Sequence, residues 1–138
     1  IRYPFEIRGN DFFMGDVRSA DITSNCTTGY HELPIAVLIG PVTSSSGTIT
    51  AIAFKNRPHT QFIGEATADG YSSGNDYYVF GENLTMNLAT TYFGDRTGVV
   101  YKTVVKPDVV ISGKDEFVNL SADRKINYAL MWLKSIQH

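Results

Sequence analysis

Apolar and polar positions change period several times along the chain, and each change marks an element. Pro34 to Ile39 is continuously apolar from Ile35 onward and ends at Gly40-Pro41. Such a run predicts a strand covered on both faces, as in α/β proteins, with a short buried helical segment as the alternative. Val42-Thr43-Ser44-Ser45-Ser46-Gly47 follows. Ile49, Ile52 and Ala53 then recur at helical spacing until Asn56 and Pro58 close the pattern. Gln61 to Glu65, with Phe62 and Ile63 at its centre, reads as the next strand. Strand, helix and strand in this order predict a right-handed crossover.

The rest of the chain is divided by turn residues. Residues 1–33 are weakly patterned, with Gly9, Gly15, Gly29 and the polar cluster Thr23 to Thr28. Loops with one or two short strands are expected there, and Phe12, Phe13 and Met14 are its candidate core contacts. Ala66 to Asn75 is a polar, Gly-containing loop. Asp76 to Phe80 and Leu84 to Tyr92 predict a hairpin across Gly81-Glu82-Asn83, and Leu84, Met86 and Leu88 show the period of a half-buried strand. After a turn at Gly94 to Gly98, Val99 to Val105 is extended, and Pro107-Asp108 precedes Val109-Val110-Ile111. A closing helix carries the stripe Ile126, Ala129, Leu130, Leu133 and Ile136, with Trp132 at its edge and Asp123 or Ser121 as cap.

Composition narrows the function. The 138 residues are 43% hydrophobic and 19% charged, which fits one globular domain with a core. Twelve Lys and Arg against 14 Asp and Glu give a net charge of −2, which argues against nucleic acid as a partner and against a polybasic membrane anchor. The longest apolar run is far short of the roughly 20 residues a membrane helix needs. The single cysteine, Cys26, excludes an intrachain disulfide, and His31, His59 and His138 are scattered without ligand spacing, so neither a metal nor another cofactor is expected. The chain starts at Ile1 without Met and reads as a piece of a longer protein.

Chemistry is concentrated at Thr43-Ser44-Ser45-Ser46-Gly47, where a strand passes into a helix. A helix N-terminus offers unpaired N–H groups and partial positive charge, which can stabilise an oxyanion. A Ser there is either a helix cap or a nucleophile that needs a base nearby. The strand Pro34 to Ile39 followed by Thr43-Ser44-Ser45-Ser46 resembles the nucleophile region of the carboxy-terminal processing (tail-specific) serine peptidases. Four further blocks follow in the family's order: Gly64-Glu65-Ala66-Thr67, Leu84 to Phe93, Lys106-Pro107-Asp108-Val109-Val110, and Ala129 to Leu133.

That resemblance implies a partial ClpP/crotonase-like β-β-α superhelix, an α/β fold, belonging to a serine endopeptidase of extended peptides. It implies Ser45 as nucleophile and the Ser46 N–H as oxyanion donor. Thr43, Ser44, Thr67, Asp69 and Gly70 would line the substrate. The family's general base, a Lys 25 positions after the nucleophile, is replaced here by Gly70, and Lys55 and Lys102 lie elsewhere in the sequence. Ser45-Ser46 and the loop Thr67 to Asn75 are more similar to the Lys-less, nisin-resistance-protein-like subgroup. There a His N-terminal to the nucleophile domain is the base, so the missing N-terminal part of the catalytic domain becomes an implied partner. His31 and His59 both fall at the wrong end of their elements to substitute, and His138 is terminal. Glu65 and Asp69 are candidates to orient the absent base, and loop capping is the alternative for Asp69. The rival reading is a non-catalytic ligand- or peptide-binding domain on the same fold. Pairing of the chain with itself is held open. An extracellular or cell-envelope location is implied by the family alone.

Overall fold

The computed structural model describes residues 4–8, 11–21 and 32–136. Gly9, Gly29, the Thr23 to Thr28 cluster, Cys26, His31 and His138 lie outside the described residues. The chain divides into two compact units between His31 and Glu32.

The first unit is an antiparallel meander of β1 (Phe5–Arg8), β2 (Asp11–Met14) and β3 (Val17–Asp21). Three strands form where one or two were expected. Each is only four or five residues long, too short for its alternation to stand out from the sequence. Gly15, at φ 64°, makes the β2–β3 turn, and its N–H donates to the Pro4 carbonyl at 2.8 Å. Phe12 and Phe13 are half-buried within β2, and the Arg8 guanidinium lies 4.6 Å from the Phe13 ring centre.

The second unit is a mixed α/β domain. β4 (Ile35–Ile39) and β5 (Thr60–Gly64) pair in parallel, register Ile35 with Thr60 through Ile39 with Gly64, joined by α1 (Ser46–Phe54). β8 (Val109–Val110) adds to the far side of β5, giving sheet order β4-β5-β8. Ile39, Ala51, Ile52, Phe62 and Val105 form the buried cluster, with Val37, Phe54, Phe93 and Tyr101 packed against it. Val37, Ile39 and Phe62 therefore share the face toward α1, and the fully buried Ile63 points to the other.

Several packing expectations change. Leu38 remains 42% exposed, so β4 is not covered on both faces; among the described residues β4 is also an edge of its sheet, and an apolar run reads the same whether or not a layer covers it. The buried side of α1 is Thr48, Ala51 and Ile52, whereas Ala53 is exposed. This helix is apolar on several sides, so packing rather than periodicity selects the face. The hairpin β6 (Ser73–Phe80) and β7 (Leu84–Tyr92) forms as expected but starts earlier, inside the predicted loop. All of β7 is exposed, not half-buried, because no described element of this unit covers its apolar side.

The closing helix, α2 (Arg124–Ser135), is capped by Asp123, whose Oδ1 accepts from the Lys125 and Ile126 N–H groups at 2.8 and 3.0 Å. Its Oδ2 accepts from the Glu116 N–H at 3.0 Å. The predicted stripe is rotated: Lys125 and Ala129 are buried, whereas Leu130 is 51% exposed. The buried Asp95 ties the Gly94 to Gly98 turn to the end of α1. It accepts from Asn56 Nδ2 at 2.7 Å, Thr97 Oγ1 at 2.7 Å, Tyr101 OH at 2.8 Å, and the N–H groups of Thr97 and Val99.

Gly64 has φ 124°, and a Cβ there would collide with the Ile39 carbonyl oxygen. Gly64→Ala is expected to lower stability by more than about 2 kcal/mol in urea unfolding, because strain and overpacking add. Asp95 and Asp123 predict the acid response. Burial alone would raise Asp95, but the hydrogen bonds from Thr97, Tyr101 and Val99 outweigh it and hold the carboxyl below its ordinary 3.8. The Glu116 and Ile126 N–H groups lower Asp123, against a smaller burial effect. The unfolded chain therefore binds these protons first, and the stability they contribute is full above the unfolded value and lost below it. The urea midpoint is expected to fall between about pH 5 and about pH 3, and to fall less in Asp95→Asn.

Candidate active site

β4 ends at Ile39, and the chain turns through Gly40 to Ser45 into α1. Thr43 holds this turn at both ends. Its N–H donates to the Gly40 carbonyl at 2.8 Å, and its Oγ1 accepts from the Gly40 N–H at 3.1 Å. The buried Thr48 donates its hydroxyl to the Thr43 carbonyl at 3.3 Å. Ser45 occupies the N-cap position, but at φ 49°, ψ −122° its side chain accepts no capping bond. An ordinary N-cap has extended backbone angles; a non-glycine residue at this φ is strained. The expectation that a Ser caps α1 is therefore not met by Ser45. The Gly47 and Thr48 N–H groups turn back to the Ser44 carbonyl at 2.9 and 3.4 Å, while the Ser46 N–H has no backbone partner among the described residues.

A second segment lies against this turn. The Glu65 N–H donates to the Ile39 carbonyl at 3.0 Å and the Ala68 N–H to the Thr43 carbonyl at 2.9 Å. Thr43, Ser44, Ser45 and Ser46 thus share one turn, and Ala68 brings the Thr67–Gly70 stretch beside it. Thr67 is buried and committed to Val105: its N–H donates to the Val105 carbonyl at 3.1 Å and its Oγ1 accepts from the Val105 N–H at 2.9 Å. Asp69 is exposed. Gly70, also exposed, has φ 78° and lines a small groove with Ser72, Ser73, Thr91, Tyr92 and Lys102. Lys102 is distant from Gly70 in sequence but shares this groove.

Candidate bases are scarce around Ser45. His59 lies at the N-terminal end of β5, where its carbonyl accepts from the Ile35 N–H, at the opposite end of the parallel pair from the Ser45 turn. Lys55 ends α1, pairs with Asp108 at 3.2 Å and sits 3.9 Å from the Phe62 ring centre. The residue that sequence reading missed is Lys125. Its buried ammonium is 2.7 Å from Asp115 Oδ1 and 3.4 Å from Glu65 Oε2. Burial alone would lower its pKa, but Asp115 and then Glu65 outweigh this and leave it raised. Lys125 is therefore protonated at neutral pH and is a fixed cation rather than a base. Glu65, read as a candidate orienter of the base, is bound to this cation. The available signal was a Lys at Ala129 − 4 on the side of the helix that also carries Leu133. Among the described residues no group of His, Cys, Asp and Glu could hold a metal ion.

Comparison with known proteins decides the family: the peptidase family S41 profile matches residues 13–111. The chain belongs to peptidase family S41. It is 38% identical over 107 residues to the nisin-resistance protein of Lactococcus lactis subsp. lactis, across 77% of this chain and 32% of that protein. Its fold is similar to that of a lipoprotein from Streptococcus agalactiae, with TM-score 0.59 and 31% identity over 74% of this chain and 32% of that one. The chain thus spans 32% of the length of each. Within this serine peptidase family it is nisin-resistance-protein-like, and its domain is peptidase-related.

Thr67 closes the Gly64-Glu65-Ala66-Thr67 stretch, and its hydrogen bonds are internal, to Val105. Thr67→Val leaves the buried Val105 N–H without its acceptor. The expected loss is about 1–3 kcal/mol in thermal or urea unfolding.

Proposed function

We propose that Ser45 is the nucleophile of a serine endopeptidase of extended peptides and that its general base, a His, lies outside this chain. The observation that carries the reading is the strained backbone at Ser45, between a parallel strand and a helix, with a hydroxyl unused by the cap. Strain of this kind is retained where a side chain must be presented at a sharp strand-to-helix turn. The Ser46 N–H, without a backbone partner among the described residues, supports its assignment as an oxyanion donor. Ser45 Oγ attacks the scissile carbonyl carbon and passes its proton to the base. The C–N bond breaks, the amine leaves with that proton, and water hydrolyses the acyl-enzyme ester.

β4 is an edge strand and leads directly into the Ser45 turn, so an extended peptide added along it would run toward the nucleophile. Thr43, Ser44, Asp69 and Gly70 would border that peptide; Thr67 would act from behind, through the loop. The wider fold is read as a ClpP/crotonase-like superhelix completed by the N-terminal part of the catalytic domain. A cell-envelope setting is supported by the names of the two relatives, one a resistance protein and the other a lipoprotein.

The test is mass spectrometry of the full-length protein after treatment with a fluorophosphonate. One adduct on Ser45 is expected, and none in Ser45→Ala. A folded protein without an adduct overturns the reading and favours a non-catalytic binding domain, which Gly70 at the base position would suit. Ser45→Gly is expected to abolish the adduct while raising stability by about 1 kcal/mol, since glycine relieves the positive φ.

A further inference from the structure

We propose that Lys125 is a positioning residue for the Ser45 turn: its buried ammonium, held by Glu65 and Asp115, clamps together the C-terminal ends of β4 and β5. The inference rests on the reading of Ser45 as nucleophile.

Four segments meet at this side chain. A Cβ on Gly40, the first residue of the turn to Ser45, would lie 3.5 Å from Lys125 Nζ. A Cβ on Gly64, the last residue of β5, would lie 3.4 Å from Lys125 Cδ. Lys125 thus occupies the space that two glycines leave open, stem against one strand end and charge against the other. Glu65, next after Gly64, holds the ammonium from the loop that reaches Thr43 through Ala68. Asp115 holds it from the segment whose neighbour, Glu116, donates to the Asp123 cap of α2.

Stability alone does not account for this arrangement. A buried ion pair costs desolvation that an apolar replacement would avoid, and such replacements are often neutral or stabilising. A charge held by two carboxylates does fix direction, which an apolar contact does not. Both segments that build the candidate site, 40–45 and 65–70, leave the sheet at this cation. A shift of either would displace Ser45 relative to the Ser46 N–H and to any base.

The experiment is the kinetics of fluorophosphonate acylation of Ser45 in the full-length protein, for the unaltered chain, Lys125→Met, Lys125→Arg and Glu65→Gln. For Lys125→Met, the limiting rate constant per labelled site is expected to fall about ten- to a hundredfold, as for small misplacements of reacting groups. Half-saturation by the probe should hold steady, and Lys125→Arg should recover most of the rate. A purely structural role would instead lower the fraction of labelled sites and leave the rate per site unchanged; that result overturns the inference. If Lys125→Met does not fold, Glu65→Gln decides, because it keeps the Lys125–Asp115 pair; a rate equal to the unaltered chain's overturns the inference. Failure of the unaltered protein to label overturns the peptidase reading itself, and this inference with it.

Discussion

At the C-terminal ends of β4 and β5 two backbones approach more closely than a side chain permits. Gly64 meets the Ile39 carbonyl oxygen where a Cβ would stand, and the next residue, Glu65, donates to that same oxygen. Everything at the candidate site leaves from this contact. On one side the chain runs through Gly40 and Thr43 to Ser45; on the other it runs through Glu65 and Thr67 to Asp69. The Ala68–Thr43 hydrogen bond joins the two routes a second time. Between those two tie points neither segment can move far alone.

Such rigidity is what lets Ser45 keep an unfavourable backbone conformation. A strained residue persists only where its surroundings over-determine it. Here Thr43 bonds both ends of its own turn, Thr48 bonds the Thr43 carbonyl from inside α1, and the Ser44 carbonyl accepts from the first turn of the helix. The polar groups around Ser45 are spent on shape, which leaves its own hydroxyl out of the cap. The buried Thr67 extends the same economy to the neighbouring loop through Val105.

The two charged features of the domain follow different logic. Asp95 accepts five hydrogen bonds and is complete in itself, tying one turn to the end of α1. Lys125 is instead a junction at which the ends of β4 and β5, the Asp115 segment and α2 meet, and it sits at the sheet ends from which the candidate site is built. Hairpin β6–β7 stands apart from both, with Tyr77, Val79 and Leu84 at least 61% exposed.

Sequence by itself determined the order of elements from β4 onward and the place of the Ser cluster between β4 and α1. Apolar runs, helical spacing and turn residues are local quantities, so the crossover, the hairpin, the capped closing helix and the Ser cluster at the strand-to-helix junction could all be read from neighbours along the chain. The family, too, was legible in short ordered blocks. Tertiary structure alone decided which faces are buried, because Leu38, Ala53 and the β7 alternation look the same whether or not a partner layer covers them. It also decided the conformation of Ser45 and the burial of Lys125. Positive φ at a serine leaves no mark on composition, and a lysine reads as solvent-facing until Glu65, 60 residues earlier, and Asp115 are brought against it by the meeting of two strands at a glycine.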